Sequence, residues 1–279
     1  RPNQAIMAVI KAGAYGHGLE QIARAIAPSG LAFFGVANVS EARRLVAAGI
    51  LEPRVYLLGA TLANEREEIV AADWTPCLSS LDEARHFDAL ARNAGRRLRV
   101  HVAVDTGMGR GGFLPEELAD IVPQLQNLAG LEIEGLGSHL PAADEDRAFS
   151  EKQFQDFDAL IAALGGASTF HWRHLANSAG LLGYPAHHCN LVRPGLLLYG
   201  VSPLNQSDVA VQPVMTLKSR ISLIRTLPAG HGVSYGRAFV TLRPTRVATV
   251  GIGYGDGYPR HVSGHQAQVA IGGQRFPVL

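Results

Sequence analysis

The sequence predicts an α/β fold, with an N-terminal (β/α)8 TIM-like barrel followed by a smaller all-β domain. Between residues 5 and 198, eight short apolar runs alternate with amphipathic stretches, which is typical of strands buried on both faces and the helices that connect them. After Tyr199-Gly200 the helical period disappears, and short β-like runs separated by turns follow. A doubly wound open sheet has the same alternation, so periodicity alone leaves that architecture open.

The barrel is predicted from its strands first. They cover residues 5–11, 33–37, 54–58, 74–78, 97–105, 132–139, 170–177 and 190–198. Four of the connecting helices have recognisable start signals. Ser40 precedes a helix over 41–48, Ser80 with Glu83 forms a capping box, Pro115 opens a helix over 116–125, and a further helix covers 144–164. Catalytic residues of such a barrel gather at the carboxyl ends of its strands.

The second domain is predicted from β-like runs at 214–227, 232–235, 246–253 and 268–271. We therefore divide the chain into a barrel, 1–205, and a β domain, 206–279. The chain starts almost inside a strand and stops in an apolar run at 276–279. We expect the β domain to be incomplete at Leu279 and a segment before the first strand to be missing.

Composition excludes several classes of function. The 279 residues carry 25 Lys and Arg against 24 Asp and Glu, a formal net charge of +1, so no footprint for nucleic acid or an anionic membrane is present. No apolar run approaches the roughly 20 residues that span a bilayer. The two cysteines, Cys77 and Cys189, lie far apart without CxxC spacing, and we expect neither a disulfide framework nor a metal site. Small neutral or zwitterionic ligands remain possible.

The most informative stretch is AVIKAGAYGHG at residues 8–18, where an apolar run ends at Lys11 and breaks into a glycine-rich turn with Tyr15 and His17. A lysine at the rim of a core is partly desolvated, and desolvation lowers its pKa. The neutral amine can form a Schiff base or take a proton. A lysine that extends its ammonium into water from the strand end is the alternative.

Three further positions suit anionic ligands or proton transfer. Arg110 follows the fifth strand on a glycine loop at 107–112 and is a bidentate donor for a carboxylate. That loop matches GxGxxG, but it follows the fifth strand instead of opening the first βαβ unit. His139 is either a core histidine or a site residue. Tyr254, in a glycine-dense loop, is either interface packing or an acid/base.

A phosphate site is the functional interpretation of the last predicted strand. Arg193 stands beside Pro194 and Gly195, and the backbone N–H groups of Gly195 and Leu196 suit a phosphate. Ser178 offers a hydroxyl to the same group. A surface arginine is the alternative for Arg193.

Taken together and in order, these motifs resemble the alanine racemase family over nearly the whole chain. They are AVIKAGAYGHG at 8–18, VDTGMGR at 104–110, Ser138-His139, ANS at 176–178, VRPG at 192–195, VSYG at 233–236 and GYGDGYPR at 253–260. The resemblance implies a pyridoxal 5'-phosphate enzyme that works as a head-to-tail homodimer on a small amino acid. It implies two-base interconversion of L- and D-alanine, which supplies D-alanine for peptidoglycan in the cytoplasm.

The resemblance also implies the role of each site residue. Lys11 forms the Schiff base and is one base, and Tyr254, donated by the partner subunit, is the other. The phosphate would be bound by four residues, Tyr15, Ser178, Gly195 and Leu196. Arg193 would meet the pyridine nitrogen, and Arg110 would bind the substrate carboxylate. His139 would link Tyr254 to Arg193.

One departure from the family pattern is Ala103, because the family usually has a lysine, often carbamylated, at that position to brace the arginine that corresponds to Arg110. Ala103 therefore leaves a non-catalytic pyridoxal phosphate-binding protein open as an alternative function. A broad-specificity amino-acid racemase is a further alternative. A barrel decarboxylase is disfavoured, since it would not need Tyr254 as an opposing base.

Overall fold

The structure, a computed structural model, describes residues 4–205, 209–262 and 267–279. It consists of two units, Arg1–Met215 and Thr216–Leu279. Residue 206 lies outside the described residues, so the predicted boundary between 205 and 206 stays a prediction.

The first unit is built on eight parallel strands in the order β7-β6-β5-β4-β3-β2-β1-β8. Their bounds are β1 Ala5–Val9, β2 Phe33–Val36, β3 Arg54–Leu57, β4 Thr75–Leu78, β5 Leu98–Ala103, β6 Leu131–Gly137, β7 Trp172–His174 and β8 Leu191–Val192. Two backbone hydrogen bonds bring β7 and β8 together, from Asn190 N to Arg173 O at 3.0 Å and from Arg193 N to Ala176 O at 2.9 Å. The predicted TIM-like barrel is thus confirmed and the open sheet is excluded.

Most of the predicted strands are longer than the observed ones. The first strand ends at Val9, before Lys11, and β8 ends at Val192 because Pro194 lacks the N–H that a ladder needs. The segment after β8 folds instead into a short 3-10 helix, Leu196–Tyr199.

Among the residues that the structure describes, seven right-handed α-helices follow the left-handed turn α1, Lys11–Tyr15. They are α2 Leu19–Ile26, α3 Val39–Ala47, α4 Arg66–Ala71, α5 Leu81–Asn93, α6 Leu118–Gln126, α7 Arg147–Ala163 and α8 Ser178–Gly183. The prediction missed α2, α4 and α8. The predicted start at Ser40 is wrong, since the N-cap of α3 is Asn38, whose side chain accepts from Glu41 N. Ser80 caps α5 as predicted, but the predicted capping box is wrong, because the Glu83 carboxylate accepts from Ser79 N instead of Ser80 N.

Alternate residues of the strands supply two different parts of the core. Ala8 and Ile10 belong to a large cluster that includes the residues of the helices. Met7, the residue before Ala8, belongs to a separate cluster with Phe33, Tyr56 and Leu191. Because successive strand residues point to opposite faces, the second cluster lies inside the barrel. Each large side chain that is fully buried in this way contributes about 1.5–3 kcal/mol relative to exposure.

The second unit is all-β among its described residues, as predicted. It contains three antiparallel pairs: β9 Ile221–Leu227 with β12 Thr245–Val250, β10 Gly232–Val233 with β11 Phe239–Val240, and β13 Gln268–Ile271 with β14 Gln274–Pro277. The predicted run 214–227 forms a strand only from Ile221 onward. In neither unit does a described helix have the length and apolar character that crossing a membrane requires.

Candidate active site

Eight of the nine predicted site residues line one cavity of about 500 Å³ in the barrel unit. They are Lys11, Tyr15, Arg110, His139, Ser178, Arg193, Gly195 and Leu196. Each follows the carboxyl end of a strand, at the face of the barrel where side chains from several strands converge. A cavity of this volume suits a small cofactor together with a small substrate.

Lys11 opens a turn of unusual handedness. The φ angles of the next four residues are 55°, 62°, 57° and 54°, and three of these residues, Ala12, Ala14 and Tyr15, are not glycine. A left-handed conformation costs a non-glycine residue roughly 1–2 kcal/mol, so the surrounding structure has to hold this turn. It places Lys11 and Tyr15 on the same cavity wall.

The Lys11 amine is partly desolvated. Burial lowers its pKa, the positive charges of Arg110 and Arg193 lower it further, and the carboxylate of Glu41 opposes them. The neutral amine is therefore more accessible near neutral pH than in an ordinary lysine.

Tyr15, Ser178 and Gly195 form one end of the cavity. Gly195 N donates to Ser178 Oγ at 2.9 Å. A Cβ at Gly195 would overlap the Tyr15 hydroxyl, so only glycine allows the phenol to lie this close to the backbone. The N–H of Leu196 has no hydrogen-bond partner among the described residues. This end offers two hydroxyls and a free amide, which are the donors that a phosphate needs.

Arg193 lies at the centre of the cavity wall with its side chain buried. Its guanidinium donates to Ser138 O at 2.5 Å and to His139 Nδ1 at 3.0 Å, and it also contacts His174 Nδ1. Arginine can only donate, so both imidazoles must accept through Nδ1 and carry their proton on Nε2. Arg193 and His139 are thus joined directly by a hydrogen bond, and the link from His139 to Tyr254 stays a prediction.

The hydrogen bonds continue from Arg193 into the barrel. His174 Nε2 lies 2.8 Å from His101 Nδ1, and His101 Nε2 lies 4.0 Å from a carboxylate oxygen of Glu134. Burial lowers the pKa of His101 and of His139 to about 3, and that of His174 well below its usual value, and Arg193 adds to each effect. All three imidazoles are therefore neutral.

Arg110 is presented by a loop that the carboxylate of Asp105 organises. Asp105 Oδ1 accepts from the backbone N–H groups of Gly107, Met108 and Gly109 at 2.9, 2.8 and 3.1 Å. The Arg110 side chain lines the cavity and has no hydrogen bond or ion pair with any described residue. Ala103, which also lines the cavity, leaves this guanidinium without an anionic neighbour from its own strand.

The cavity is cationic. Lys11, Arg110 and Arg193 line it, and Asp144 is the single carboxylic acid among the lining residues. No group of three or more metal-ligating side chains occurs among the residues that the structure describes. Lysine, a donor set for phosphate and a separate arginine together fit pyridoxal phosphate beside a substrate carboxylate.

Tyr254 belongs to the second unit, on the short 3-10 helix Tyr254–Asp256. Asp256 Oδ2 accepts from Gly253 N at 2.9 Å and closes this turn. The Tyr254 side chain is 59% exposed, and the Arg260 guanidinium carbon lies 5.9 Å from its ring centroid.

Three polar residues next to the site were missed by sequence reasoning, namely Glu41, His101 and His174. A polar residue inside an apolar strand that is buried on both faces was the available signal for both histidines. For Glu41 the signal was its place three residues after the helix cap Asn38.

The fold and cavity define the class of protein, an enzyme with a parallel barrel whose strand ends form a cationic cavity around a lysine. The model of the alanine racemase N-terminal domain matches residues 1–203, and that of the alanine racemase C-terminal domain matches 214–279. The chain therefore belongs to the alanine racemase family, and it is an isomerase of the racemase type.

Individual relatives agree with the family models. The alanine racemases of Desulforamulus reducens and Desulfovibrio desulfuricans are 39% and 38% identical over the whole chain, which spans 76% of each relative. The solved alanine racemase of Clostridium difficile 630 matches the whole chain with a TM-score of 0.89 at 32% identity, over 74% of its own length. The enzyme from a D-cycloserine-producing Streptomyces lavendulae has a TM-score of 0.88 at 37% identity, and the match covers 98% of this chain and 74% of that one.

Proposed function

We propose that this chain interconverts L- and D-alanine with pyridoxal phosphate by two-base transfer of the Cα proton. The observation that carries the proposal is the meeting of Lys11, Tyr15, Ser178 and Arg193 on one cationic cavity. Bound pyridoxal phosphate supplies an electron sink that stabilises a carbanion at Cα. The residues of the chain then have to hold it, orient the substrate and move one proton.

Different residues of the cavity bind the cofactor and the substrate. Lys11 would hold the cofactor through its amine, and Tyr15, Ser178 and the amide at Leu196 would bind its phosphate. The amide at Gly195, which donates to Ser178 Oγ at 2.9 Å, would orient that hydroxyl toward the phosphate. Arg110, whose side chain has no partner among the described residues, binds the carboxylate of the amino acid as a bidentate donor. The guanidinium of Arg193 would meet the pyridine nitrogen of the bound cofactor, and because arginine only donates, it would hold that nitrogen unprotonated.

Racemisation needs a proton removed from one face of Cα and returned to the other. Lys11 Nζ serves one face, since its lowered pKa makes the neutral amine available. Tyr254 Oη serves the other face and comes from the partner subunit of a head-to-tail homodimer. A phenol has a reference pKa of about 10, so it needs cationic neighbours, and Arg193 acting through His139 meets that need.

The family relationship extends the proposal to the role of the product. D-Alanine made in the cytoplasm is a precursor of peptidoglycan, and we assign the chain to that supply. Two alternative functions stay open, a broader amino-acid specificity and cofactor binding without turnover. Ala103 favours the second, since Arg110 then lacks its usual brace.

The test is an incubation of the protein with pyridoxal phosphate and L-alanine in D2O, followed by chiral separation and a count of Cα deuterium. We expect deuterated D-alanine, and its loss in Lys11→Ala and in Tyr254→Phe. Exchange with other amino acids but not alanine would indicate the broader racemase. Cofactor binding without any exchange would contradict the proposal and leave the non-catalytic binding protein.

A complementation experiment tests the shared site. Lys11→Ala and Tyr254→Phe chains are each inactive alone in this mechanism. If Tyr254 crosses to the partner, a mixed dimer contains one site with both native residues, and mixing the two inactive variants restores activity. If both bases come from the same chain, no mixed dimer has a complete site and the mixture stays inactive.

A further inference from the structure

Glu41 is a buried carboxylate whose two oxygens bind different segments. It lies on α3 and is 8% exposed. Glu41 Oε1 accepts from Gly13 N at 3.0 Å, in the left-handed turn α1, and Glu41 Oε2 accepts from Ala37 N at 2.8 Å, in the loop before its own helix. The glutamate therefore connects the segment after β1 to the segment after β2.

The hydrogen bond between Glu41 and Gly13 differs from the other backbone hydrogen bonds of α1, because it comes from a separate helix. Hydrogen bonds within the α1 segment include Ala14 N to Ile10 O at 2.8 Å and Gly16 N to Ala12 O at 3.0 Å. Among the described residues, Glu41 provides the only hydrogen bond from another element to the backbone of α1. A turn that is intrinsically unfavourable thus depends on one carboxylate from a neighbouring helix.

A second buried glutamate of the barrel, Glu83, has the same position relative to its helix cap as Glu41 but makes no hydrogen bond to the turn that carries Lys11. Glu83 on α5 is 5% exposed and, like Glu41, stands three residues after a capping side chain. Glu83 Oε2 accepts from Ser79 N at 3.0 Å, the counterpart of the Ala37 bond. Its other oxygen accepts from Thr61 Oγ1 at 2.8 Å. Both glutamates thus accept a hydrogen bond from the residue before their helix cap, but of the two only Glu41 also bonds to the turn that carries Lys11.

The charge of Glu41 also acts on the lysine. Burial, Arg110 and Arg193 all lower the pKa of Lys11, and among the groups that act on it Glu41 alone raises it. Glu41 thus limits how far the two arginines depress the basicity of the amine.

We propose that Glu41 is the positioning residue for Lys11, holding the left-handed turn that presents Lys11 and Tyr15 to the cavity. The role rests on the proposed function of Lys11, because a held turn matters only if the amine must meet a cofactor. Glu41 acts through the backbone at Gly13 and takes no part in proton transfer.

The experiment compares Glu41→Gln with Glu83→Gln. Glutamine keeps the shape but has one acceptor oxygen, so it serves one of the two backbone N–H groups and turns its own NH2 toward the other. The first readout is amide hydrogen exchange of residues 12–18 in the protein without cofactor. Losing a hydrogen bond to a charged acceptor predicts exchange roughly tenfold or more faster in Glu41→Gln. We expect no change there in Glu83→Gln.

The second readout is borohydride trapping of pyridoxal phosphate on Lys11, followed by peptide mapping, as a function of pH. Removing the negative charge leaves Lys11 facing only Arg110 and Arg193, so the trapping midpoint moves to lower pH in Glu41→Gln and stays in place in Glu83→Gln. If Glu41→Gln does not fold, Glu41→Asp keeps the charge on a shorter stem. It should speed exchange in the turn without moving the midpoint.

The outcomes separate the two proposals. Equal exchange in the 12–18 segment of the two glutamine variants overturns the positioning role, whether or not the enzyme turns over. Wild-type protein that never traps pyridoxal phosphate on Lys11 overturns the proposed function, while the exchange result still reports on Glu41.

Discussion

The three neutral imidazoles around Arg193 make the barrel unusually sensitive to mild acid. Burial keeps the pKa of His101 and His139 at about 3 and that of His174 well below its usual value in the folded state. In the unfolded chain the same groups titrate near 6.5. Between these limits the unfolded state binds protons that the folded state does not, so stability is fully present above pH 6.5 and falls as the pH decreases toward 3.

The magnitude follows from the number of protons. Each proton taken up only by the unfolded chain changes the unfolding free energy by about 1.4 kcal/mol per pH unit. Three imidazoles that are almost fully protonated in the unfolded chain predict a loss of about 3–4 kcal/mol between pH 6 and pH 5. His101→Leu removes one of them at similar volume and should reduce that loss by about a third.

Urea unfolding followed by tryptophan fluorescence provides the assay. Both tryptophans of the chain, Trp74 and Trp172, lie in the barrel, so the signal reports on that unit. Measurements between pH 6.5 and pH 5 avoid the range in which ordinary carboxylates titrate. His188→Gln changes an exposed ring outside this cluster and is the control variant. The slope of the unfolding free energy against pH gives the number of protons taken up on unfolding. A value of one proton or less, or the same value in His101→Leu as in the wild type, would refute the assignment of neutral imidazoles.

Two glycine substitutions test the close contacts at the site. Gly195→Ala puts a Cβ where the Tyr15 hydroxyl lies, so we expect pyridoxal phosphate to bind roughly tenfold or more weakly in an absorbance titration, and unchanged affinity would contradict the predicted phosphate end. Gly137→Ala overlaps the His174 ring and should lower the unfolding free energy by about 1–3 kcal/mol in urea. Gly183→Ala, whose Cβ would meet only Leu204 Cδ1 at 3.5 Å, is its control and should change stability much less.

The barrel was predictable because its strands are buried on both faces and appear as continuous apolar runs. The first residues of the helices were harder to predict, since neighbouring residues can each serve as the N-cap. Asn38 and Ser40 are both good capping residues, and the structure selects Asn38 because Glu41 three residues later can then bond to Ala37 N. The strand end at Lys11 was misjudged because four successive left-handed residues have no signature in hydrophobic periodicity.

The site residues that follow predicted strands or belong to recognisable motifs could be predicted from the sequence. Lys11, Arg110 and Arg193 follow strands, and the topology of a barrel brings such positions together. The positions of Glu41 and His101 carry a signal in the sequence, but their hydrogen-bond partners could not be predicted, because these are 28 and 73 residues away. Which of two faces a buried polar side chain uses is decided by tertiary packing, which periodicity does not encode.

Arg193 takes part in closing the barrel as well as in lining its cavity. Its backbone N–H donates to Ala176 O, and the next carbonyl, Pro194 O, accepts from Val9 N at 3.0 Å, across 185 residues of chain. Contacts of such long range carry a large loop-closure entropy and form late in folding. We therefore expect the arginine to reach the cavity only when the ring closes, so that a chain with an open barrel would lack the binding site.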